Sequence, residues 1–167
     1  MTERTLIELL YGAGSHLNTL ACVEGVPLGI AGSRPDNFPH SIWQLVCHMN
    51  YWMAYELKRV HRENPPYPIH ASETWPANAA PSSEEEWQST VVTFRDLLAE
   101  LASLAGSPPD DLSEEVTATH PDHKKRSSSL RAVLWQTLVH NSYHIGQVAM
   151  LRRALGAWPP EAGGDSW

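Results

Sequence analysis

The sequence predicts an all-α fold, a four-helix bundle with long irregular connections. Four segments carry apolar residues at the i, i+3, i+4 spacing of an amphipathic helix. No segment shows the sustained alternation of apolar and polar residues that is typical of a half-buried strand. Proline and glycine are frequent between the helical segments, which favours irregular connections there. Helices that bury such apolar faces against one another form a bundle.

The first helix is predicted over 2–20, where the apolar positions are Leu6, Leu9, Leu10, Ala13, Leu17 and Leu20. A connection follows over 23–39, because this segment holds too many glycines and prolines for a regular element.

The second helix is predicted to begin at a capping box formed by Ser41 and Gln44 and to continue to about residue 60. Pro65 and Pro66 end it, and the stretch 64–81 is an irregular link in which Trp75 is placed to cover a pocket mouth. Lys58 and Arg59 are expected to face solvent.

The third helix is predicted to begin at Ser82 or Ser83 and to end near Gly106. The polar stretch 109–126 is predicted to be mainly loop, although Leu112 and Val116 could pair in a short strand. The fourth helix is capped within 127–129 and closed by Gly156.

Length and charge indicate one globular domain. The chain has 167 residues and a formal net charge of −7, and a domain of this size builds a core without structural metal or disulfides. We predict one domain over 1–160 and a mobile tail over 161–167.

Charge and hydropathy argue against two classes of partner. The negative charge disfavours nucleic acid, and polar residues interrupt the long apolar run near 130–155, which disfavours a membrane span. With no signal segment at the start, we expect a cytoplasmic protein without nucleic-acid or membrane partners.

Two histidines on the fourth helix point to a metal site. His140 and His144 are one turn apart, so their imidazoles project from one face. His48 on the second helix shares a face with Leu45 and Trp52 and is a candidate third ligand. Three imidazoles would leave open positions on a divalent ion, as in catalytic zinc sites. The residues alone leave open the alternative of core histidines satisfied by ordinary hydrogen bonds.

Both histidine segments resemble the signature of a known family. SIWQLVCH at 41–48 and HNSYHIGQ at 140–147 are similar to segments of the DinB/YfiT-like superfamily, and the order and lengths of the helices fit over most of the chain. Members are bundles that hold a divalent metal with three histidines. The resemblance implies His48, His140 and His144 as the metal ligands, with nickel or zinc favoured over manganese or iron.

The resemblance implies a metal-dependent enzyme without naming its substrate. Because the family includes thiol-dependent transferases, a low-molecular-weight thiol is a candidate cofactor. We expect a thiol-dependent S-transferase or a hydrolase that acts on a small molecule, with no catalytic residue assigned. The alternative is a non-catalytic metal-binding bundle that acts in stress response, sensing or partner binding.

Two other classes of metalloenzyme are excluded. A zincin needs glutamate directly after the first histidine of the pair, where this chain has Asn141. A di-iron carboxylate bundle needs Glu-x-x-His motifs on facing helices, which the second and fourth helices lack.

Several neighbours of the histidines have expected roles. Gln136, Asn141, Tyr143 and Gln147 are expected to orient groups around the site, and Trp52 to wall it. His16 is a further candidate for the pocket, whereas Cys47 should point elsewhere on its helix, since adjacent residues are about 100° apart.

The remaining expectations lie outside the site. His120 and His123 are expected to be solvated. We expect a homodimer through the first helix or through Trp158 and Trp167.

Overall fold

The structure is a computed structural model that describes residues 3–119 and 124–161. Its helices are α1 (Glu3–Leu10), α2 (Thr19–Val23), α3 (Leu28–Ala31), α4 (Ile42–Val60), α5 (Glu84–Ala105) and α6 (Leu130–Ala154). Its strands are β1 (Glu115–Thr119) and β2 (Lys125–Ser129), and short 3-10 helices cover Ala71–Thr74 and Asp111–Ser113. The predicted helical fold is confirmed, with one small sheet added.

Three long helices form the centre of the molecule. α4 packs against both α5 and α6, while α1 packs on α5 and α6, and α2 packs on α6. Apolar side chains from the three long helices fill the shared interior, and the largest of those that are almost fully buried are Ile42, Leu45, Met49, Met53, Trp87, Phe94, Leu98, Leu101, Leu134 and Ile145. Burial of these faces supplies the main stabilising term of a bundle.

The predicted first helix over 2–20 is wrong in its extent. α1 has only eight residues, and the chain turns before α2 begins at Thr19. Gly12 and Gly14 adopt positive φ values of 83° and 76°, which are incompatible with a right-handed helix. Asn18 then caps α2 with its side-chain oxygen, which accepts from the backbone N–H groups of Leu20 and Ala21.

The other helix ends follow the capping signals of the sequence. Ser41 and Gln44 form the predicted capping box of α4. Ser83 caps α5, and Ser129 caps α6. Gly156, with a φ of 72°, follows the end of α6 as predicted.

The stretch predicted as loop over 109–126 contains one strand of an antiparallel hairpin. β1 pairs with β2 so that Thr117 lies opposite Ser127, and residues 127 and 128, predicted as part of a helix cap, are in β2. Val116 is buried, because the hairpin packs on α4 and α6. His120, His123 and residues 162–167 of the predicted tail lie outside the described residues. No described helix has both the length and the hydropathy that crossing a membrane requires.

Candidate metal centre

The three predicted histidines meet between α4 and α6. His48 comes from α4, and His140 and His144 come from successive turns of α6. One ligand atom from each lies within 4.8 Å of the others. The ring centroids are 4.6 to 5.1 Å apart, and the planes are inclined by 48° to 80°. The rings are therefore not stacked on one another, and the cluster brings together three potential nitrogen ligands.

The hydrogen bonds of Thr74 fix the tautomer of His48. The Thr74 hydroxyl donates to the Ala71 carbonyl at 2.7 Å. Its oxygen lies 2.9 Å from His48 Nδ1, and the Thr74 carbonyl lies 3.2 Å from the same atom. Both oxygens must accept, so Nδ1 carries the proton and donates. The lone pair of His48 is thus on Nε2, which lies 3.2 Å from His140 Nε2.

Gln147 has the same effect on His144. His144 Nδ1 donates to Gln147 Oε1 over 2.7 Å, so the lone pair of this ring is also on Nε2. Outer hydrogen bonds of this kind orient metal-binding imidazoles and raise their basicity. The predicted orienting role of Gln147 therefore has a definite partner, the His144 ring.

The spacing of these nitrogens fits a bound metal ion. Two nitrogens on one tetrahedral zinc ion, each about 2.0–2.1 Å from it, would be about 3.3 Å apart. His48 Nε2 and His140 Nε2 have nearly this separation, at 3.2 Å. The donor set is three imidazoles, which suits a divalent transition-metal ion.

Burial keeps the three imidazoles in their neutral form. Desolvation and, to a smaller extent, the neighbouring imidazoles lower the pKa of His48 and the pKa of His140 to about 4. Desolvation also lowers the pKa of His144. Only a neutral imidazole can donate a lone pair to a metal ion, so all three rings are in the ligand form at neutral pH.

Two tryptophans flank the cluster. Trp75 stacks on His48 with ring centroids 3.8 Å apart, and His40 stacks on the other face of this indole at 3.7 Å. Trp52 meets His48 and His140 edge-on at 6.5 and 6.4 Å. Trp52 therefore lies beside the cluster as predicted, and Trp75 covers the ring of His48. His40, which the sequence gave no reason to place here, is part of the cover.

The link that carries Trp75 is held against the start of α4. Gln44 donates from Nε2 to the Pro76 carbonyl at 3.2 Å, and the Ser41 hydroxyl donates to the Ala79 carbonyl. The same capping box that starts α4 therefore positions Thr74 and Trp75 beside His48.

A cavity opens on the His140 side of the cluster. Its volume is about 440 Å³, and it is lined by Trp52, Tyr55, Glu56, Arg59, Tyr67, Ala118, Gln136, Thr137, Val139 and His140. A second cavity of about 390 Å³ lies on the side of His40, Tyr143 and Gln147. A small molecule in the first cavity would border His140 directly.

Other sequence-predicted neighbours take different positions. His16 hydrogen-bonds Leu17 and Ser142 and is not in the cluster. Burial raises the pKa of the Cys47 thiol to about 11, and its hydrogen bond to Thr90 places it towards α5, as expected. Tyr143 lies against His144 with ring centroids 5.0 Å apart.

Asn141 lies beside His140, in keeping with its expected orienting role. A hydrogen-bonding interaction with the Asn141 side chain raises the pKa of His140, against the larger lowering by burial. His140 Nδ1 is buried and has no hydrogen bond of standard geometry to a described residue. The outer shell of His140 thus differs from those of His48 and His144.

Sequence reasoning missed Thr74, Glu56 and Arg59. Arg59 was expected in solvent, but only 8% of its side chain is exposed, because it bonds Glu56 and the Thr117 carbonyl of the hairpin. A glutamate one turn before an arginine was a weak available signal for the pair.

Comparisons with known proteins agree with the family resemblance and with the fold. A family model described as the DinB superfamily matches residues 15–148, a range that includes all three histidines. The structure is similar to that of YfiT from Bacillus subtilis, described as a probable metal-dependent hydrolase with an unusual four-helix bundle topology. The TM-score is 0.62 at 14% identity, over 92% of this chain and 87% of that one. No curated protein matches the chain.

Proposed function

Because the chain belongs to the DinB superfamily, we propose that it is a metal-dependent hydrolase that uses His48, His140 and His144 to hold a divalent ion, zinc or nickel. The observation that carries the proposal is the convergence of three neutral imidazoles beside a cavity of about 440 Å³. The description of YfiT as a probable metal-dependent hydrolase supports the reaction type.

His48, His140 and His144 would hold the ion, and because neutral imidazoles add no charge, the bound ion would supply Lewis-acid chemistry towards water or a thiol. The chain's own residues prepare the site. Thr74 and Gln147 each accept a hydrogen bond from Nδ1 of one imidazole, which leaves Nε2 of His48 and of His144 free to bind. Trp75 and Trp52 cover neighbouring sides and limit access of bulk water. A substrate in the cavity beside His140 would therefore meet the ion in a partly dry environment.

The test is hydrolysis by metal-loaded protein. We would assay a panel of nitrophenyl esters and nitroanilides with zinc-loaded, nickel-loaded and chelator-treated protein, and repeat it with a low-molecular-weight thiol and an electrophile. Saturable hydrolysis should require metal, disappear in His144→Ala and persist in His70→Ala, whose histidine is exposed and outside the cluster.

Two results would contradict the proposal. Stoichiometric metal without turnover in any panel would indicate a non-catalytic metal-binding bundle. Turnover only with the thiol would instead indicate an S-transferase.

A further inference from the structure

A buried ion pair lies in the wall of the cavity beside the histidines. Glu56 and Arg59 are one turn apart on α4, and only 6% and 8% of their side chains are exposed. Both residues line the cavity that also borders His140. Burying two charges is costly even when they are paired. A pair in this position therefore merits a functional explanation.

The described residues leave part of the hydrogen-bonding capacity of the pair unused. Glu56 Oε2 accepts from Arg59 Nη1, and Arg59 Nε donates to the Thr117 carbonyl at 3.3 Å. Within 3–119 and 124–161, neither Glu56 Oε1 nor Arg59 Nη2 has a hydrogen-bond partner. Glu56 thus retains acceptor capacity and Arg59 retains donor capacity, and both residues line the same cavity.

Charge restricts what can occupy these two sites. The ion pair is neutral overall, so an anionic ligand group at Arg59 would meet the Glu56 carboxylate, and a cationic group at Glu56 would meet the guanidinium. An amide-type group carries no net charge and presents an acceptor next to a donor. Its carbonyl would accept from Arg59 Nη2, and its N–H would donate to Glu56 Oε1.

The rest of the wall suits a flat apolar body. Trp52, Tyr55 and Tyr67 line the cavity and contact one another edge-on or at a tilt, with ring centroids 5.4 to 5.9 Å apart. Tyr55 is itself buried, and its hydroxyl has no partner among the described residues. Aromatic walls with a few fixed polar groups are typical of small-molecule sites.

We propose that this cavity is the substrate-binding site of the metal centre and that it selects an uncharged molecule with a flat apolar body and an amide-type edge, bound by Glu56 and Arg59. The identification of the occupant as a substrate rests on the proposed function. The ligand class rests on the cavity alone.

Three probes of one shape and different charge test the ligand class. We would titrate benzamide, benzoate and benzylammonium into metal-loaded and chelator-treated protein and follow binding by ligand-observed NMR. The order of affinities is read from the chelator-treated protein, because a carboxylate can bind a metal ion directly. Benzamide should bind at least about tenfold more tightly than either charged probe, since each of those brings a like charge into the site.

Variants test whether the ligand binds in this cavity and whether the Glu56–Arg59 ion pair selects it. Ala118→Trp should fill the cavity from the hairpin and abolish benzamide binding, whereas Thr117→Trp, at the neighbouring exposed position, should not. Glu56→Gln leaves Arg59 without its counter-charge and should reverse the preference, so that benzoate binds more tightly than benzamide. A merely structural ion pair would not change the order of the probes.

The proposal is overturned if no probe binds, if benzoate or benzylammonium equals benzamide in the wild type, or if Ala118→Trp binds benzamide normally. These outcomes are independent of the metal. If benzamide behaves as expected but the loaded protein hydrolyses nothing, the hydrolase proposal fails while the ligand class stands.

Discussion

At the scale of single residues, the cluster depends on atoms that would never touch a metal ion. Thr74 and Gln147 each accept a hydrogen bond from a protonated Nδ1. These bonds determine that Nε2 of His48 and of His144 is the nitrogen left to bind a metal ion. Because the rings are already in the required tautomer and orientation, little reorganisation would be needed on binding.

Removing the acceptor of His144 should weaken metal binding. Loss of such an outer hydrogen bond typically costs about 10–100-fold in metal affinity, and we expect Gln147→Leu to fall in this range. Competition with a chelator of known affinity measures it. Gln136→Leu is the control, since Gln136 is exposed on the same helix and has no bond to a cluster histidine. Equal affinities in the two variants would show that the Gln147 bond is irrelevant.

The lowered histidine pKa values should make the metal-free protein sensitive to acid. His140 has a folded pKa of about 4 against an ordinary 6.5. The unfolded chain therefore binds more protons between these values, and the free energy of unfolding falls as pH falls through this window.

Urea unfolding with chelator at pH 7 and pH 5 checks this dependence. We expect wild type to lose more stability than His140→Gln over this interval, and His70→Gln to behave like wild type. An identical loss in wild type and His140→Gln would contradict the assignment.

At the scale of elements, features that depend on adjacent residues could be predicted from the sequence, whereas features that depend on contacts between distant residues could not. The capping box of α4 and the spacing of His140 and His144 are properties of a few adjacent residues, so the sequence predicts them. Thr74 and Trp75 lie in a link without periodicity, and bonds to the start of α4 determine their position. The burial of Arg59 likewise depends on a hairpin that was predicted mainly as loop.

The prediction of one continuous first helix was wrong, and mutation can test the reason. A Cβ on Gly12 would lie 2.5 Å from the Leu17 carbonyl oxygen, whereas one on Gly14 would meet nothing within 4 Å. Both positions have positive φ, a conformation that costs a residue with a side chain about 1–2 kcal/mol.

We expect Gly14→Ala to lower the free energy of unfolding by about 1 kcal/mol and Gly12→Ala to lower it clearly more, as measured by urea unfolding. If Gly12→Ala were as stable as wild type, the break between α1 and α2 would not depend on this turn.

At the scale of the whole molecule, one arginine connects the N-terminal and the C-terminal parts of the described chain. Arg152 is 3% exposed. Its Nη1 donates to the carbonyls of Ala21, Cys22 and Glu24, and its Nε donates to that of Ala157. Its hydrogen bonds thereby connect the end of α6 to α2, to Glu24 after α2 and to Ala157 after α6. The expected homodimer stays a prediction.

Arg152→Met should destabilise the protein without changing the histidine cluster directly. Hydrogen bonds to a charged group contribute about 1.5–3 kcal/mol each, and the variant leaves several carbonyls unpaired. We expect a loss of at least about 3 kcal/mol in unfolding free energy. Arg62→Met should cost less than about 1 kcal/mol, because this exposed arginine only faces Glu114 at 3.7 Å. Similar losses in the two variants would refute the role of Arg152.

Metal content tests the central claim most directly. We would purify wild type, His48→Ala, His140→Ala and His144→Ala without a histidine tag, incubate each with zinc or nickel, remove unbound ions and measure metal per chain. Three imidazoles at this spacing predict close to one ion per wild-type chain and its loss from every variant. Absence of metal from the wild type after loading, or retention of a full equivalent by all three variants, would contradict a metal centre at this cluster.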